Sequence, residues 1–385
     1  MIDKNKMPLA MGIAFVAFTT QFGGGFASGA QIYQYFINYG IWALILPVLT
    51  QGLLALFFWT GLKYAYRHKT YDYRAFSDHF YGKYRLLFSN LYELTYLIMI
   101  GTASAAAFAT GGATLEQLTK IPYWLCTLII GAFIFVIALY GTNLVRAAAS
   151  TLSVIIILGL VVVLVPNIIA QWDTIVSSGA RLAAGELPVG SGESGLFGAA
   201  LWSAILYFLF QLPSVGLMYQ HVEPLTDEKQ VDRACVYMFL VNTIAMLLAV
   251  VGMLAIAHVP ELEGASVPML ILVQNGVGAK ILTPIISILM ILGAVSTGVN
   301  MIAGIVTRTV NAIERKMPKE KRASGHMGRN IVFSLVFTAI AFGIAQFGLI
   351  NVVKKGYAYL GYAGLISVAV PFILYMIMGR KQEEK

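Results

Sequence analysis

Charge is scarce in this 385-residue chain. Asp, Glu, Lys and Arg together make up 11% of it, less than half of the roughly 25% that covers a soluble domain. With 58% hydrophobic residues, a globule of this size cannot be solvated, whereas the short loops of a membrane bundle can. Alternating ten-residue strands are absent, so helices rather than a barrel must satisfy the backbone in lipid. The two cysteines, Cys126 and Cys235, fall near opposite faces of the bilayer, beyond the ~7 Å Cα limit of a disulfide. Both read as free thiols packed as small apolar residues. The five histidines, His68, His79, His221, His258 and His326, are scattered, with no HExxH and no paired-carboxylate spacing. A Walker lysine is also missing. These absences argue against an enzyme and against ATP as an energy source, leaving an ion gradient to drive any transport. No cleavable signal is expected, since the apolar run after Lys4 and Lys6 continues past Gly29 without a small-residue cleavage site.

Apolar runs of about 20 residues are plentiful, each long enough to cross ~30 Å of hydrocarbon. They predict ten spans near 8–38, 41–64, 86–112, 121–142, 145–170, 197–222, 232–258, 279–313, 329–348 and 351–378. With the N-terminus inside, 21 of the 26 Lys and Arg residues fall in inner segments. Lys120, Arg181, Lys280, Lys354 and Lys355 fall outside. The asymmetry predicts a multi-pass protein of the inner or plasma membrane with both termini cytoplasmic. It also assigns the net charge of +8 to membrane loops rather than to a nucleic-acid partner.

Two spans are interrupted. Gly23-Gly24-Gly25 divides the first, costing roughly 3 kcal/mol of helix propensity relative to alanine. Gln211-Leu212-Pro213-Ser214 divides the sixth, where Pro213 lacks a donor and Gln211 carries an amide to mid-span depth. Lipid tolerates such breaks only where protein or a wet cavity covers them. Paired breaks opening two sets of five helices are the signature of an inverted-repeat transporter. The expected architecture is therefore one all-α integral membrane domain, residues 1–385, of about ten transmembrane helices. Residues 1–170 would form the first repeat and 197–385 the second, joined by the outer loop 171–196. Residues 65–85 suit an amphipathic linker at the interface. Residues 260–278 suit a short re-entrant or lid helix, or an ordinary loop with a hydrophobic dip.

The first break offers free amides at Gly24, Gly25 and Phe26, which suit a carboxylate, and free carbonyls near Thr19 and Phe22, which suit a cation. Gly25-x-x-x-Gly29 could instead be a packing face. In the eighth span, Gly293, Ser296 and Thr297 could supply a carbonyl and two hydroxyls to a monovalent ion, unless the hydroxyls bond their own i−4 carbonyls. Glu93 lies ~10 Å inside the third span. An acid at that depth is a candidate for proton coupling or for contact with a cationic substrate, or a structural acid near the cytoplasmic vestibule.

GGGFASG in a broken first helix, a broken sixth helix and Ser296-Thr297 in the eighth resemble the leucine-transporter (LeuT) fold of the amino acid–polyamine–organocation superfamily. Within it the chain is most similar to the YkvI-type membrane proteins. The resemblance implies sodium held by the carbonyls of Thr19, Phe22 and Gly293 and the hydroxyls of Ser296 and Thr297. It also implies a substrate carboxylate on Gly24 and Gly25, with Gly23, Phe26, Tyr96, Phe208, Gln211 and Ser214 lining the rest. Helix five, Leu144 to Pro166, has no lysine to replace the ion. The expected function is sodium-coupled transport of an amino acid or similar small zwitterionic or organic solute by alternating access, with no other cofactor. Proton coupling or exchange through Glu93 and a non-transporting solute sensor remain open alternatives.

Overall fold

The computed structural model describes residues 8–140, 142–187, 189, 195–318 and 325–378, without the side chains of 142–153. Lys4, Lys6, Lys319, Lys321, Arg322, Arg380, Lys381 and Lys385, and the side chain of Arg146, lie outside the described residues. Among those described there is no strand. Eight helices among the described residues are long and apolar enough to cross a membrane. They are α4 (Leu46–His68), α6 (Arg85–Thr119), α7 (Tyr123–Tyr140), α10 (Phe197–Gln211, continued as a 3-10 helix to Leu217), α11 (Glu228–Leu254), α13 (Ala279–Glu314), α14 (His326–Ala345) and α15 (Leu349–Met378). The fifth expected span is α8 (Thr142–Ala170). The first is broken into α1 (Leu9–Gln21), a single turn α2 (Gly24–Ala27) and α3 (Ala30–Tyr35).

Lipid is the solvent this exterior needs. In α14 only 11% of the most apolar stretch is buried, and Val332, Leu335, Val336 and Ile340 stand exposed. A helix apolar all round and packed on one side has its free faces in hydrocarbon. The protein is thus an all-α membrane bundle. Cys126 and Cys235 are free and buried.

Three connecting segments are more ordered than their composition indicates. The outer loop expected over 171–196 contains α9 (Trp172–Ala183), which turns 80° from α8. Its moderate apolarity and Gly/Ser content hide an amphipathic helix. Within 260–278 a buried helix, α12 (Pro268–Gln274), packs against the first span, and the Met269 N–H donates to the Ser28 carbonyl at 2.9 Å. The linker 65–85 folds as α5 (Tyr73–Phe80), capped by Asp72, which accepts from the Arg74 and Ala75 amides. Phe76 of α5 stacks on Tyr219 at 4.0 Å.

Ion pairs gather at one end of the bundle, where Lys63 and Arg67 of α4 meet Glu228 of α11 at 2.9 and 2.8 Å. This is called the basic end below.

The first span also breaks a second time, at Gly29, whose φ of +81° is left-handed. A Cβ there would stand 3.1 Å from the Met269 nitrogen. Gly29→Ala is therefore expected to cost about 1–2 kcal/mol, read as a lower melting temperature in detergent. An unchanged melt would mean that α12 does not fix this turn.

Candidate functional site

The site starts where α1 stops. Phe22 leaves helical space (φ −106°, ψ 62°), and Gly23 follows in an extended conformation. The Phe22 N–H still closes on Phe18, but among the described residues no backbone N–H reaches the carbonyls of Thr19, Thr20 or Phe22. The hydroxyls of Thr19 and Thr20 turn back to Phe15 and Val16. Three glycines in a row allow three polar side chains to approach the exposed backbone. An added Cβ would lie 3.0 Å from the Thr297 hydroxyl at Gly23, 3.1 Å from that of Thr110 at Gly24 and 2.8 Å from the Gln31 amide at Gly25.

The sixth span changes differently from expectation. It does not unwind. Its backbone stays right-handed through Gln211 and Leu212 and tightens into a 3-10 helix over Leu212–Leu217. Pro213 occupies its first turn, where a missing N–H costs little. Two carbonyls of this stretch also take side-chain donors: that of Pro213 accepts from the Tyr92 hydroxyl at 3.1 Å and that of Gln211 from Ser214 at 2.6 Å.

One hydrogen bond joins the two irregularities. Gln211 Nε2 donates to the Gln21 carbonyl at 2.9 Å and to the Tyr207 hydroxyl at 3.3 Å. Tyr207 in turn donates to Gln31 Oε1 at 3.3 Å. On the other side, Asn242 of α11 donates to Gln21 Oε1 at 2.9 Å, while Gln21 Nε2 is buried without a partner.

These groups border a small cavity of about 50 Å³. From the first span it is lined by Thr20, Gln21, Gly23, Gly24, Gly25 and Gln31. Phe210, Gln211, Ser214 and Leu217 close the sixth-span side. Met99 and three alanines of α6, Thr297 and Met301 of α13, and Tyr357 and Leu360 of α15 complete the wall.

Distinct groups flank the cavity at its two ends. Away from the basic end, Tyr35, Tyr207, Phe210 and Tyr357 form an aromatic layer with centroids 4.6–5.6 Å apart. Tyr35 is pinned by its hydroxyl to the Val353 carbonyl of α15 at 2.9 Å. Beyond this layer lies a second cavity, of about 250 Å³, bordered by Asn38, Trp202 and Lys354. Towards the basic end, Arg308 of α13 pairs with Glu93 of α6. The Tyr73 hydroxyl donates to the same carboxylate at 2.5 Å. Arg308 also lies over the Tyr73 ring at 4.4 Å, and Tyr73 stacks on Tyr96 at 4.7 Å.

Of the residues expected around the site, Gly23, Gly24, Gly25, Gln211, Ser214 and Thr297 line the cavity. Three expected lining residues do not. Phe26 is buried against Phe22 at 4.1 Å, Phe208 packs on Phe57 at 4.9 Å, and Tyr96 belongs to the Tyr73–Arg308 stack. Glu93 is held by Arg308 and Tyr73, outside the lining. Thr19, Phe22, Gly293 and Ser296 are also outside it, although Thr20 and Thr297, their chain neighbours, are in it. Ser287 and Thr309 of α13 bond their own i−4 carbonyls. Ser296 and Thr297 do not, and their hydroxyls carry no hydrogen bond. Gln21, Gln31 and Tyr357 were not anticipated. Only the costly burial of an amide, the signal used for Gln211, could have flagged the two glutamines.

No family model matches this sequence, and no curated protein matches it. Solved structures do. A Na+-coupled sialic acid symporter in a substrate-bound outward-open state aligns over 96% of this chain and 90% of its own, with a TM-score of 0.61 at 12% identity. The inward-facing conformation of Mhp1, a nucleobase-cation-symport-1 family transporter, aligns over 97% and 77%, with a TM-score of 0.59 at 15% identity. A manganese transporter of Eremococcus coleocola aligns over 95% and 78%, with a TM-score of 0.50 at 18% identity. The chain has the LeuT fold. It shares that fold with membrane transporters rather than enzymes.

Gln211→Leu keeps the side chain's bulk and removes the donor between the two interrupted spans. Leaving the buried Gln21 carbonyl unpaired is expected to cost about 1–3 kcal/mol, measured by thermal melting in detergent. Gln211→Glu, which cannot donate while ionised, should be at least as damaging. If both variants melt like the parent, the bond does not hold the spans together.

Proposed function

We propose that this chain is a secondary transporter that carries an amino acid or similar small zwitterionic or organic solute across the inner or plasma membrane, coupled to sodium. The observation that carries this reading is the cavity between the interrupted first and sixth spans, flanked at its two ends by separate sets of packed side chains. Alternating access requires this arrangement: one central site and two barriers that open in turn. The basic end is assigned to the cytoplasm by the positive-inside rule, which places both termini there. Residues 1–170 and 197–385 are read as the two inverted repeats, joined by 171–196.

The donor set suits a small hard cation. Thr19 and Phe22 have carbonyls without backbone donors, and Ser296 and Thr297 have hydroxyls without hydrogen bonds. Together with the Gly293 carbonyl these are neutral oxygens, the ligands a hard monovalent ion accepts. The side chain of Thr297 reaches Gly23, linking the proposed ion site to the lining. The amides of Gly24 and Gly25 are the groups proposed to receive a solute carboxylate. The Na+-coupled symporter that shares this fold offers a precedent for such coupling. Placement among the YkvI-type proteins rests on the GGGFASG motif.

In proteoliposomes an inward sodium gradient should drive uptake, and Thr297→Ala should raise the sodium concentration for half-maximal uptake at least tenfold. Uptake equally fast in potassium, and unaltered by Thr297→Ala, would remove sodium from the reading.

Glu93 is assigned to the cytoplasmic closure, not to proton transfer. Glu93→Gln and Arg308→Gln should each weaken that closure and raise thiol-reagent labelling from the basic end of a cysteine introduced in the lining by Ala103→Cys, with the pH profile of uptake unchanged. A pH dependence abolished by Glu93→Gln would restore proton coupling.

A further inference from the structure

The cavity wall carries no formal charge. Among the described residues that line it there is no Asp, Glu, Lys, Arg or His. On α15, Lys355 and Lys354 stand two and three residues from Tyr357, but both are exposed and Lys354 borders the second cavity. On α6 and α13 the nearest charges are Glu93 and Arg308, six residues from Met99 and seven from Met301, hence ~9–10 Å away along the helix axes. They neutralise each other in an ion pair. A solute with net charge would surrender its hydration here without a counter-charge, which strongly disfavours its binding. Divalent cations, polyamines, dicarboxylates and phosphates therefore do not fit. A zwitterion fits, its carboxylate meeting backbone amides and the coupling cation.

The polar groups left over are more specific than neutrality alone. Gln211 spends its amide nitrogen on the Gln21 carbonyl and on Tyr207. Because a carbonyl can only accept, this contact fixes which end of the Gln211 amide is which. Its Oε1 is then left as an acceptor on a residue that lines the cavity. Gln21 presents the converse. Its Oε1 is taken by Asn242 Nδ2, and its Nε2 is a buried donor with no partner, as Asn242 Oδ1 is a buried acceptor with none, although Gln21 is only 2% exposed. An unused amide acceptor and an unused amide donor thus sit on two residues joined by a 2.9 Å hydrogen bond. The complement of that pair is another carboxamide, whose NH₂ donates to Gln211 while its C=O accepts from Gln21.

We infer that the solute has zero net charge and carries a carboxamide, as a neutral amide amino acid does. This rests on the proposed reading of the cavity as the solute site. A buried donor and acceptor that stay unpaired with the wrong solute reject it strongly.

The test uses the purified full chain in sodium, with glutamine, asparagine, leucine, glutamate, arginine and Mn²⁺ as probes. Melting temperature reports binding, and proteoliposome uptake reports flux. Glutamine or asparagine should raise the melting temperature and bind at least 30-fold tighter than glutamate, which is nearly isosteric, and at least tenfold tighter than leucine. Gln21→Leu should reduce the amide-over-leucine preference to within threefold. Glutamate, arginine or Mn²⁺ binding as tightly as the amides overturns the inference, as does the absence of a response to both amides. Amide binding without flux leaves the inference standing and removes transport. Flux of a charged solute does the reverse.

Discussion

A helix that stops inside a bilayer leaves carbonyls behind the break and amides ahead of it, with no water to meet them. How each interruption is satisfied decides what it can do. The sixth span answers from within. It tightens to a 3-10 helix, and Tyr92 and Ser214 take the carbonyls of Pro213 and Gln211. The first span is answered only in part. Gln211 takes the Gln21 carbonyl, and those of Thr19, Thr20 and Phe22 receive no backbone donor. The two breaks are thus unequal. One is a structural support that lends a side chain, and the other is the face with unspent bonding capacity.

That inequality also orders the closures. α13 is a continuous helix of 36 residues that carries both Thr297, against Gly23, and Arg308, against Glu93. Eleven residues separate them, ~16 Å of rigid helix. Any change that draws Thr297 toward or away from the first span must therefore be felt at the Arg308–Glu93 pair. At the other end, Tyr357 lines the cavity, and Val353, one turn away on α15, holds the Tyr35 hydroxyl. The turn that contains Val353 is π-helical, over Val352–Gly356, a form of local distortion frequent at functional sites. Each barrier is thereby attached to a helix that also touches the solute cavity. On the proposed reading, this is the physical basis for coupling occupancy to opening.

Much of this was legible in the sequence because breaks are written in residue types. Three consecutive glycines and a proline beside a buried amide have few structural uses in lipid, and both proved to border one cavity. Rotation about helix axes is not written that way. Phe208 and Tyr207 are adjacent and both aromatic, yet Tyr207 bonds Gln211 while Phe208 packs on Phe57. Tyr96 follows Glu93 by three residues, so helical geometry puts them on one face. Once Arg308 holds Glu93, Tyr96 follows it to the closure and cannot line the cavity. Gln31 lies beyond the second turn of the first span, which is set by Gly29 and the contact with Met269. No local pattern announces that turn, so nothing in the sequence would bring Gln31 back over Gly25. The helix at 172–183 escaped notice for a related reason. Its apolar face is too short to read as a span, and its glycine and serines read as a loop.

The scarcity of charge returns at the site with a different meaning. Along the chain it marks a lipid-facing surface. Within the cavity it marks a mode of selection. Charged walls attract any solute of opposite sign and tolerate variation in shape, because Coulomb forces fall off slowly. Carboxamides discriminate by direction, since each N–H and each C=O must find a partner at hydrogen-bond distance. With Gln21 and Gln211 facing one cavity, a solute that fails to pair both leaves two desolvated groups behind, at about 1–3 kcal/mol each. The same two residues hold the interrupted spans together through the Gln211–Gln21 bond. On the proposed reading, recognition and the joint between the two halves share two residues through different atoms, so a well-matched solute stabilises the closed cavity that a mismatched one leaves strained.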